Sequence, residues 1–588
     1  MGKIKVMDEL LANKIAAGEV VEKCASVVKE LVENSIDANS TEIKIELLES
    51  GTKMIKVTDD GKGMDEEDAL LAFSRHATSK IVDEDDLYQI TTLGFRGEAL
   101  PSIASVSDIV LKTSTGDVGN IIHIRGGKLI SNQASDARRG TVMCVNDIFF
   151  NTPARLKHLK SLYTELANIS EYVNKIALSH PEIKFSLYNN NSLILRTDGR
   201  GDLLKTINDI YGLEITKKMI KIEGSNSDYE VSGYISKPEV HRSTRAHIIT
   251  IVNGRVVRNM DLNRVINESY HGYKPDNRYP ITVINIELDP TLVDVNIHPT
   301  KMDVKFSKMD ELLDLVSKLI KDSLSTKNII PTLEEPKIEP NKSFTDSIYK
   351  KVNYEELTFD LNRVNEEVEE IKKEEVIAKV EEVTENIEVE NKQKLPELYP
   401  VGLVHGTYII CQNELGMYLI DQHAAKERVN YEYYKYKLAH PNKEMISLLI
   451  PINIELTSNE FIIIKENFEL LRNMNFEIEE FGVNSVIIKA HPLWLPKDHE
   501  AEAVRRIIDL VIEMESNFDL EKFNDHVAAT ISCKMSIKAN TNITTSEMEN
   551  LINDLRKCDN PFNCPHGRPT IITFTKYELE KLFKRSGF

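Results

Sequence analysis

The sequence predicts a multidomain α/β (α+β) protein, and three observations carry that expectation. Through residues 1–330 a helical pattern is followed by a strand hairpin and then by Gly-rich loops, an order that implies α/β sandwich layers and not a doubly wound sheet. Residues 331–397 open with Pro331, Pro336 and Pro340 and continue as a dense charge run poor in aromatics, which reads as a flexible acidic linker or as one solvated helix. Order resumes at 398, where alternating strands run into a helix. At roughly 100–200 residues per domain, the 588 residues accommodate several domains. The partition expected is 1–219, 220–330, 331–397 and 398–588, with 432–530 inserted as a regulatory subdomain in the last.

The individual elements follow from local pattern. KCASVVKELVENSIDA (23–38) is an amphipathic helix with Val27, Val28, Leu31, Val32 and Ile36 toward a core. TEIKIELLESGTKMIKVTDDGKGM (41–64) is two alternating strands joined by Glu-Ser-Gly and ending in a Gly-rich turn. A second unit begins near 220, with strands around YISKP, HIITIVNGRVV, ITVINIELDP and VDVNIHPTKMDVKF. In the last part, Tyr408–Cys411 and Met417–Ile420 alternate as strands before a helix.

Composition excludes several classes. No run of about 18 uncharged apolar residues exists, so no membrane span is expected. The start, MGKIKVMDELLANKIAAGEVVE, lacks the apolar core of a secretory signal, and a cytoplasmic protein is expected. Six cysteines in a chain this long do not form a disulfide framework, so a functional cysteine is a metal ligand or a nucleophile. The net charge of −20 argues against a generally basic nucleic-acid binder. Residues 331–400 hold 19 acids against 10 bases, however, which leaves room for a local basic surface elsewhere.

Glu30 and Asn34 stand four residues apart on the first long helix, so both project from one face. The carboxylate can accept a proton from an attacking water, and the amide oxygen can ligate Mg²⁺ beside phosphate oxygens. Alone, the pair reads as a solvated polar face. The segment from Asp59 to Met64 (DDGKGM) changes that balance, because Gly61 and Gly63 let backbone approach a ligand and Asp59 can accept the exocyclic amino hydrogen of adenine. RHATSK (75–80), with Thr78 and Lys80, and LGFRGEAL (93–100), with Gly94, Phe95, Arg96, Gly97 and Glu98, supply hydroxyls, amides and cations for phosphates. The sequence has no G-x-x-x-x-G-K-[ST] segment, so it is not a P-loop ATPase.

This ordered set resembles the GHKL ATPases, and among them the MutL family of mismatch repair most closely. IAAGEVVE (15–22), KELVENSIDA (29–38), RHATSK, LGFRGEAL and NDIFFNTPARLKHL (146–159) carry the likeness. It implies an N-terminal GHKL ATPase sandwich followed by a ribosomal-protein-like α/β domain. It also implies that Glu30 is the general base, Asn34 the Mg²⁺ ligand and Asp59 the adenine partner, with Gly61, Gly63, Thr78, Lys80, Thr141 and the 93–98 lid around ATP. Lys301, within VNIHPTKMDVKF (295–306), is similar to the family lysine that reaches the γ-phosphate from the second domain. In this family ATP dimerises the N-terminal halves and hydrolysis releases them.

Asp421, His423 and Glu427 lie where a strand passes into a helix, and His423 and Glu427, four residues apart, can share one metal. Cys533, Cys564 and His566 complete a plausible ligand set. Thiolate and imidazole suit Zn²⁺ while the carboxylates suit Mn²⁺ or Mg²⁺, so two adjacent metals are expected. The remaining cysteines, 24, 144, 411 and 558, are expected to be core or surface thiols. The pattern D-Q-H-A-x-x-E-x-x-x-x-E (421–432), with SCK (532–534), CPHGRP (564–569) and Phe583-Lys584-Arg585, resembles the endonuclease motif of MutL homologues that nick DNA themselves. Asp421 and Glu427 are then catalytic; the alternative is an ATP-gated scaffold with structural metals.

HRSTR (241–245), Arg255, Arg258, Arg264, Arg138 and Arg139 are cations suited to sequence-independent contact with double-stranded DNA, or to a solvated face. The resemblance implies a homodimer, a mismatch-recognition protein MutS and a replication sliding clamp as partners. Ile446–Pro451 (ISLLIP) is the candidate clamp-binding segment without the customary glutamine, and a buried strand is the competing assignment.

Overall fold

A computed structural model describes residues 18, 21–80, 92–94, 97–136, 138–274, 278–294, 304–326, 395–440, 444–497, 499–513, 520–536 and 542–583. The expectations for Phe95, Arg96, Lys301, residues 331–394, Lys584 and Arg585 lie outside the described residues, as does the Cys533 side chain.

Helix α1 (Cys24–Asp37) forms because Cys24, Val27, Val28, Leu31 and Val32 recur at helical spacing, and all five are buried. It lies on an eight-stranded sheet of order β5-β4-β3-β6-β2-β1-β7-β8, built from β1 (Glu42–Leu48), β2 (Met54–Asp59), β3 (Asp108–Ser114), β4 (Gly119–Arg125), β5 (Lys128–Ser135), β6 (Gly140–Asn146), β7 (Lys184–Asn189) and β8 (Ser192–Arg196). A short helix α2 (Ala99–Ser105) precedes β3, and α3 (Leu162–Ser179) crosses between β6 and β7, which lets β7 run parallel to β1. The strand alternation has one consequence for function. In β2 every second residue faces the interior, so Ile55 and Val57 are followed there by Asp59, an acid carried in by the strand's period of two.

The middle sheet has the order β12-β11-β13-β10-β9, with β9 (Met219–Ser225), β10 (Tyr229–Ser236), β11 (Ile248–Val252), β12 (Arg255–Val257) and β13 (Thr282–Leu288). Asn253 and Gly254 both have positive φ (46° and 78°) and join β11 to β12 as a two-residue hairpin turn, which makes Arg255 the first residue of the returning strand. Helices α4 (Met260–Ser269) and α5 (Met309–Thr326) bury Leu262, Ile266, Leu312, Val316 and Ile320 in the same core. Tyr229 meets Phe306 edge-on at 6.4 Å.

The C-terminal part has two sheets. One orders β14 (Tyr399–Val404), β15 (Tyr408–Asn413), β16 (Gly416–Asp421) and the late strand β20 (Ile571–Thr575) side by side. Ile409, Cys411, Tyr418 and Ile420 are buried, while Tyr399, Val401, Tyr408 and Ile572 of the same sheet are exposed. Helix α6 (Gln422–Ala439) leaves β16 directly. The second sheet, β17 (Met445–Glu455), β19 (Ser485–Pro492) and β18 (Glu477–Glu480), is inserted with α7 (Ser458–Glu466), α8 (Glu500–Glu513) and α9 (Leu520–Ser536) before α10 (Thr545–Lys557) returns to the first. Phe476 and Tyr434 pack edge-on against Trp494 in its core.

The strand expected over Ile446–Pro451 forms, but its burial does not. The pairing of β17 with β19 breaks between Ser447 and Ile452, and the residues so released include Leu449 and Ile450, 102% and 85% exposed. No helix among the described residues is long and apolar enough to cross a membrane.

Gly140 opens β6 with φ of +110°, and a Cβ there would lie 2.2 Å from the Asp59 carbonyl oxygen. Gly140→Ala is therefore expected to destabilise the N-terminal sheet by about 1–3 kcal/mol, seen as a lower midpoint of its urea transition. An unchanged midpoint would show that the close approach is relieved without cost.

Candidate functional site

Asp59 closes β2 with three donors around its carboxylate. Ser35 Oγ of α1 donates to Oδ2 (2.9 Å), and the Gly61 and Thr141 amides donate to Oδ1 (3.0 and 3.2 Å). Burial pushes the Asp59 carboxyl up, and these hydrogen bonds oppose it by favouring the anion. Asp60, the neighbouring acid, turns outward and takes the Thr41 and Glu42 amides, which anchors the turn. Two glycines are required here by space. A Cβ on Gly61 would meet Ser40 Oγ at 2.7 Å, and one on Gly63 (φ +69°) would overlap the Ser114 carbonyl. The Thr141 hydroxyl sits 3.1 Å from that of Thr113, which also accepts from the Met64 amide.

In the same last turn of α1, Asn34 and Asp37 face Lys80 and the 92–94 segment. Lys80 Nζ donates to Asn34 Oδ1 (3.0 Å) and Asp37 Oδ2 (2.5 Å), while the Leu93 and Gly94 amides donate to Asp37 (2.9 and 3.0 Å). The Thr78 hydroxyl accepts from the Lys80 amide at 3.2 Å. His76 approaches Glu98 at 3.8 Å, and Gly97 (φ +61°) lies so close to the Ala77 carbonyl that a side chain has no room. Glu30, half-buried one turn before Asn34, is on the same helix face. The structure thus groups Asn34, Lys80 and Gly94 around Asp37, and Gly61, Gly63 and Thr141 around the Asp59 turn, with the adjacent Asn34 and Ser35 of α1 facing one group each. The Asn34 oxygen accepts from the Lys80 ammonium.

Two members of this site were not singled out from sequence. Asp37 was visible as the next acid on the Glu30–Asn34 face, but its role depends on backbone amides more than fifty positions away. Arg255, delivered by the hairpin turn, donates to the Thr92 and Leu93 carbonyls (2.7 and 3.3 Å) and so holds the base of the lid from the middle sheet. This corrects its expected place on a DNA surface. Arg242, expected to be exposed, is buried against Glu460. Arg138, Arg139, Arg245, Arg258 and Arg264 are exposed, with Arg264 bonded to Asp261.

In the C-terminal part, one ligand atom each from Glu427, Cys564 and His566 lie within 4.8 Å of one another. Glu427, 2% exposed, contacts His423 Nε2 (3.3 Å) through one oxygen and His566 Nδ1 (3.4 Å) through the other. Burial pushes the Cys564 thiol up, with the Glu427 carboxylate adding to it. A buried carboxylate against two imidazoles and a thiol is the chemistry of a metal ligand set. Asp421 stands apart from the trio. It caps α6, with Oδ1 accepting from the His423 and Ala424 amides (2.9 and 3.0 Å). Cys24, Cys411 and Cys558 are buried as expected of core thiols, and Cys558 faces Glu432 instead of the trio.

The loop bearing Cys564 and His566 is held by α6. Glu432 accepts from the Asp559 and Asn560 amides (2.6 and 3.1 Å), and Arg428 Nε donates to the Asn563 carbonyl (2.5 Å). Gly567 (φ +83°) lets the loop fold back, its amide reaching the Cys564 carbonyl. Arg428 and Glu432 therefore aim the ligands without joining them.

Residues 22–142 match the family model "Histidine kinase-, DNA gyrase B-, and HSP90-like ATPase", residues 207–325 match "DNA mismatch repair protein, C-terminal domain", and residues 401–543 match "MutL C terminal dimerisation domain". The DNA mismatch repair protein MutL of Anoxybacillus flavithermus is 45% identical over 611 residues, and that of a Geobacillus species 46% identical over 620, each alignment covering 100% of both chains. A solved N-terminal domain of a DNA repair protein is 26% identical, with a TM-score of 0.47, over 53% of this chain and 98% of its own. The N-terminal part is a GHKL ATPase domain that binds ATP, and the C-terminal part carries the dimerisation domain. With full-length identity of this order to its relatives, the chain belongs to the DNA mismatch repair protein MutL family.

Proposed function

We propose that this mismatch-repair ATPase also nicks DNA, through metal held in its C-terminal part. The observation that carries this reading is the convergence of Glu427 with the sequence-distant Cys564–His566 loop on one point beside His423. His423, Glu427, Cys564 and His566 would hold the metal, with Asp421 and Cys533 as further ligands. Bound Zn²⁺ or Mn²⁺ supplies Lewis-acid activation of water and stabilisation of the leaving oxygen in phosphodiester cleavage. The protein's own share is orientation: Glu432 and Arg428 fix the Cys564–His566 loop, and Asp421 presents its carboxylate from the start of α6. The capping role of Asp421 also favours a second reading, in which the metal is structural and the protein an ATP-gated scaffold.

In the N-terminal part, Glu30 is the base that takes the proton of the attacking water, Asn34 holds Mg²⁺, and Asp59 pairs with adenine. Gly61, Gly63, Thr78, Lys80, Gly94, Gly97, Glu98 and Thr141 enclose the nucleotide; Phe95, Arg96 and Lys301, outside the described residues, are further nucleotide contacts by family resemblance alone. The exposed arginines contact duplex DNA without reading sequence. The protein works as a cytoplasmic homodimer with MutS and a sliding clamp, the clamp seated on Leu449 and Ile450.

Glu30→Ala is expected to bind ATP as the parent does and to lose about 10²–10⁴-fold in turnover, read by phosphate release. Turnover at the parental rate removes Glu30 as the base. Asp421→Asn separates the two C-terminal readings, because asparagine caps a helix as well as aspartate does. It should fold normally, keep ATPase activity and lose Mn²⁺-dependent nicking of supercoiled plasmid; nicking at the parental level leaves only the structural metal. Ile450→Asp should abolish any stimulation of nicking by a sliding clamp and leave basal nicking intact, and persisting stimulation moves the clamp site elsewhere.

A further inference from the structure

Arg242 and Arg278 belong to the middle unit, yet their acidic partners come from the C-terminal part of the chain. Arg242 Nε lies 3.5 Å from Glu460 on α7, and Arg278 Nη1 donates to Asp509 on α8 at 3.1 Å. His247 also approaches Glu460 (3.5 Å), while Arg505 sits between the two acids, bonded to Asp509 (3.1 Å) and 3.8 Å from Glu460. Around this cluster α7 lies along α3. Ser161 donates to Glu466 (2.8 Å), Ser458 donates to Asn174 (3.1 Å), and Ile462 and Ile463 join the apolar core of the N-terminal sheet. Glu460 is 2% exposed.

The contact is charged and incompletely satisfied. Arg242 Nε and Arg505 Nη2 are buried without a hydrogen-bond partner, each held only at ion-pair distance. Burial alone would raise the Glu460 carboxyl, but the charges of Arg242, His247 and Arg505 hold it down at about 2. A well-packed permanent core leaves few such atoms, whereas contacts between domains that separate are more polar. Two carboxylates spaced along adjacent helices and met by two guanidiniums also resemble, chemically, a run of backbone phosphates.

We propose that the α7–α8 face of the inserted subdomain is an intrachain cover that occupies a phosphate-binding surface formed by Arg242 and Arg278, with Glu460 and Asp509 standing where DNA phosphates bind. Duplex DNA and the cover then compete for the same guanidiniums. This rests on the proposed DNA contact, but not on the metal site.

The test uses the full-length chain and a non-specific DNA duplex. Glu460→Gln with Asp509→Asn removes the acidic charge at near-constant shape, and Asn459→Trp wedges the contact open without changing charge. In both variants, hydrogen exchange of residues 162–179 should quicken, and apparent duplex affinity should rise about threefold or more at constant salt. Adding Arg242→Ala and Arg278→Ala should cancel that gain. DNA should quicken the same exchange in the parent, and ATPase activity, retained throughout, shows that the fold is intact. If exchange quickens but duplex affinity stays at the parental value, the covered face is not a DNA surface and the proposal falls. Exchange unchanged in both variants shows that these residues do not hold the cover. Failure of parent and variants alike to bind duplex at low salt instead removes the DNA contact on which the proposal rests.

Discussion

Asp37 accepts hydrogen bonds from Lys80 and from the amides of Leu93 and Gly94, and this one carboxylate decides where the 92–94 segment meets the helix that carries Glu30 and Asn34. A side chain that gathers donors from two separate loops fixes both against the same helix. Arg255 grips the same segment from the other side through the Thr92 and Leu93 carbonyls. The 92–94 segment is therefore clamped between an anion on α1 and a cation on β12, with its amides and carbonyls divided between them. Hydrogen bonds to charged groups are roughly twice as strong as neutral ones, so a short irregular segment can be positioned without a core of its own.

The same economy of buried charge recurs at the other sites. Asp59 is carried inward by strand alternation and is met by three donors. Glu427 is met by two imidazoles and a thiol, and Glu460 by two guanidiniums and an imidazole. In each case a carboxylate that would be costly to bury alone becomes the point on which distant segments agree. What differs is completeness. Asp59 is fully bonded within one domain, whereas Glu460 leaves buried guanidinium atoms without hydrogen-bond partners.

Much of this was legible in the sequence where the signal is local. The α1 periodicity, the 41–59 hairpin and the Asp59 turn depend on neighbours in the chain, and they form as expected. Residue type and motif also singled out Glu427, Cys564 and His566 as candidate ligands, and the fold brings these three together. Destination was not legible. Arg242 and Arg255 look like surface cations until tertiary structure supplies Glu460 and the lid carbonyls. Nor does alternation tell which face of a strand meets solvent once a register break intervenes, as at Leu449 and Ile450. Asp421 shows a third case, in which the residue was found but its helix-capping work was not.

The four-stranded sheet of the C-terminal part leaves Tyr399, Val401, Tyr408 and Ile572 open to solvent in a single chain, within a half of the molecule that carries a dimerisation domain. Apolar surface of this kind gains stability only when a second copy arrives to cover it. Covering it in a homodimer links the stability of this half to the concentration of chains. Its melting temperature is then no constant of the sequence but a function of how many copies the cell keeps.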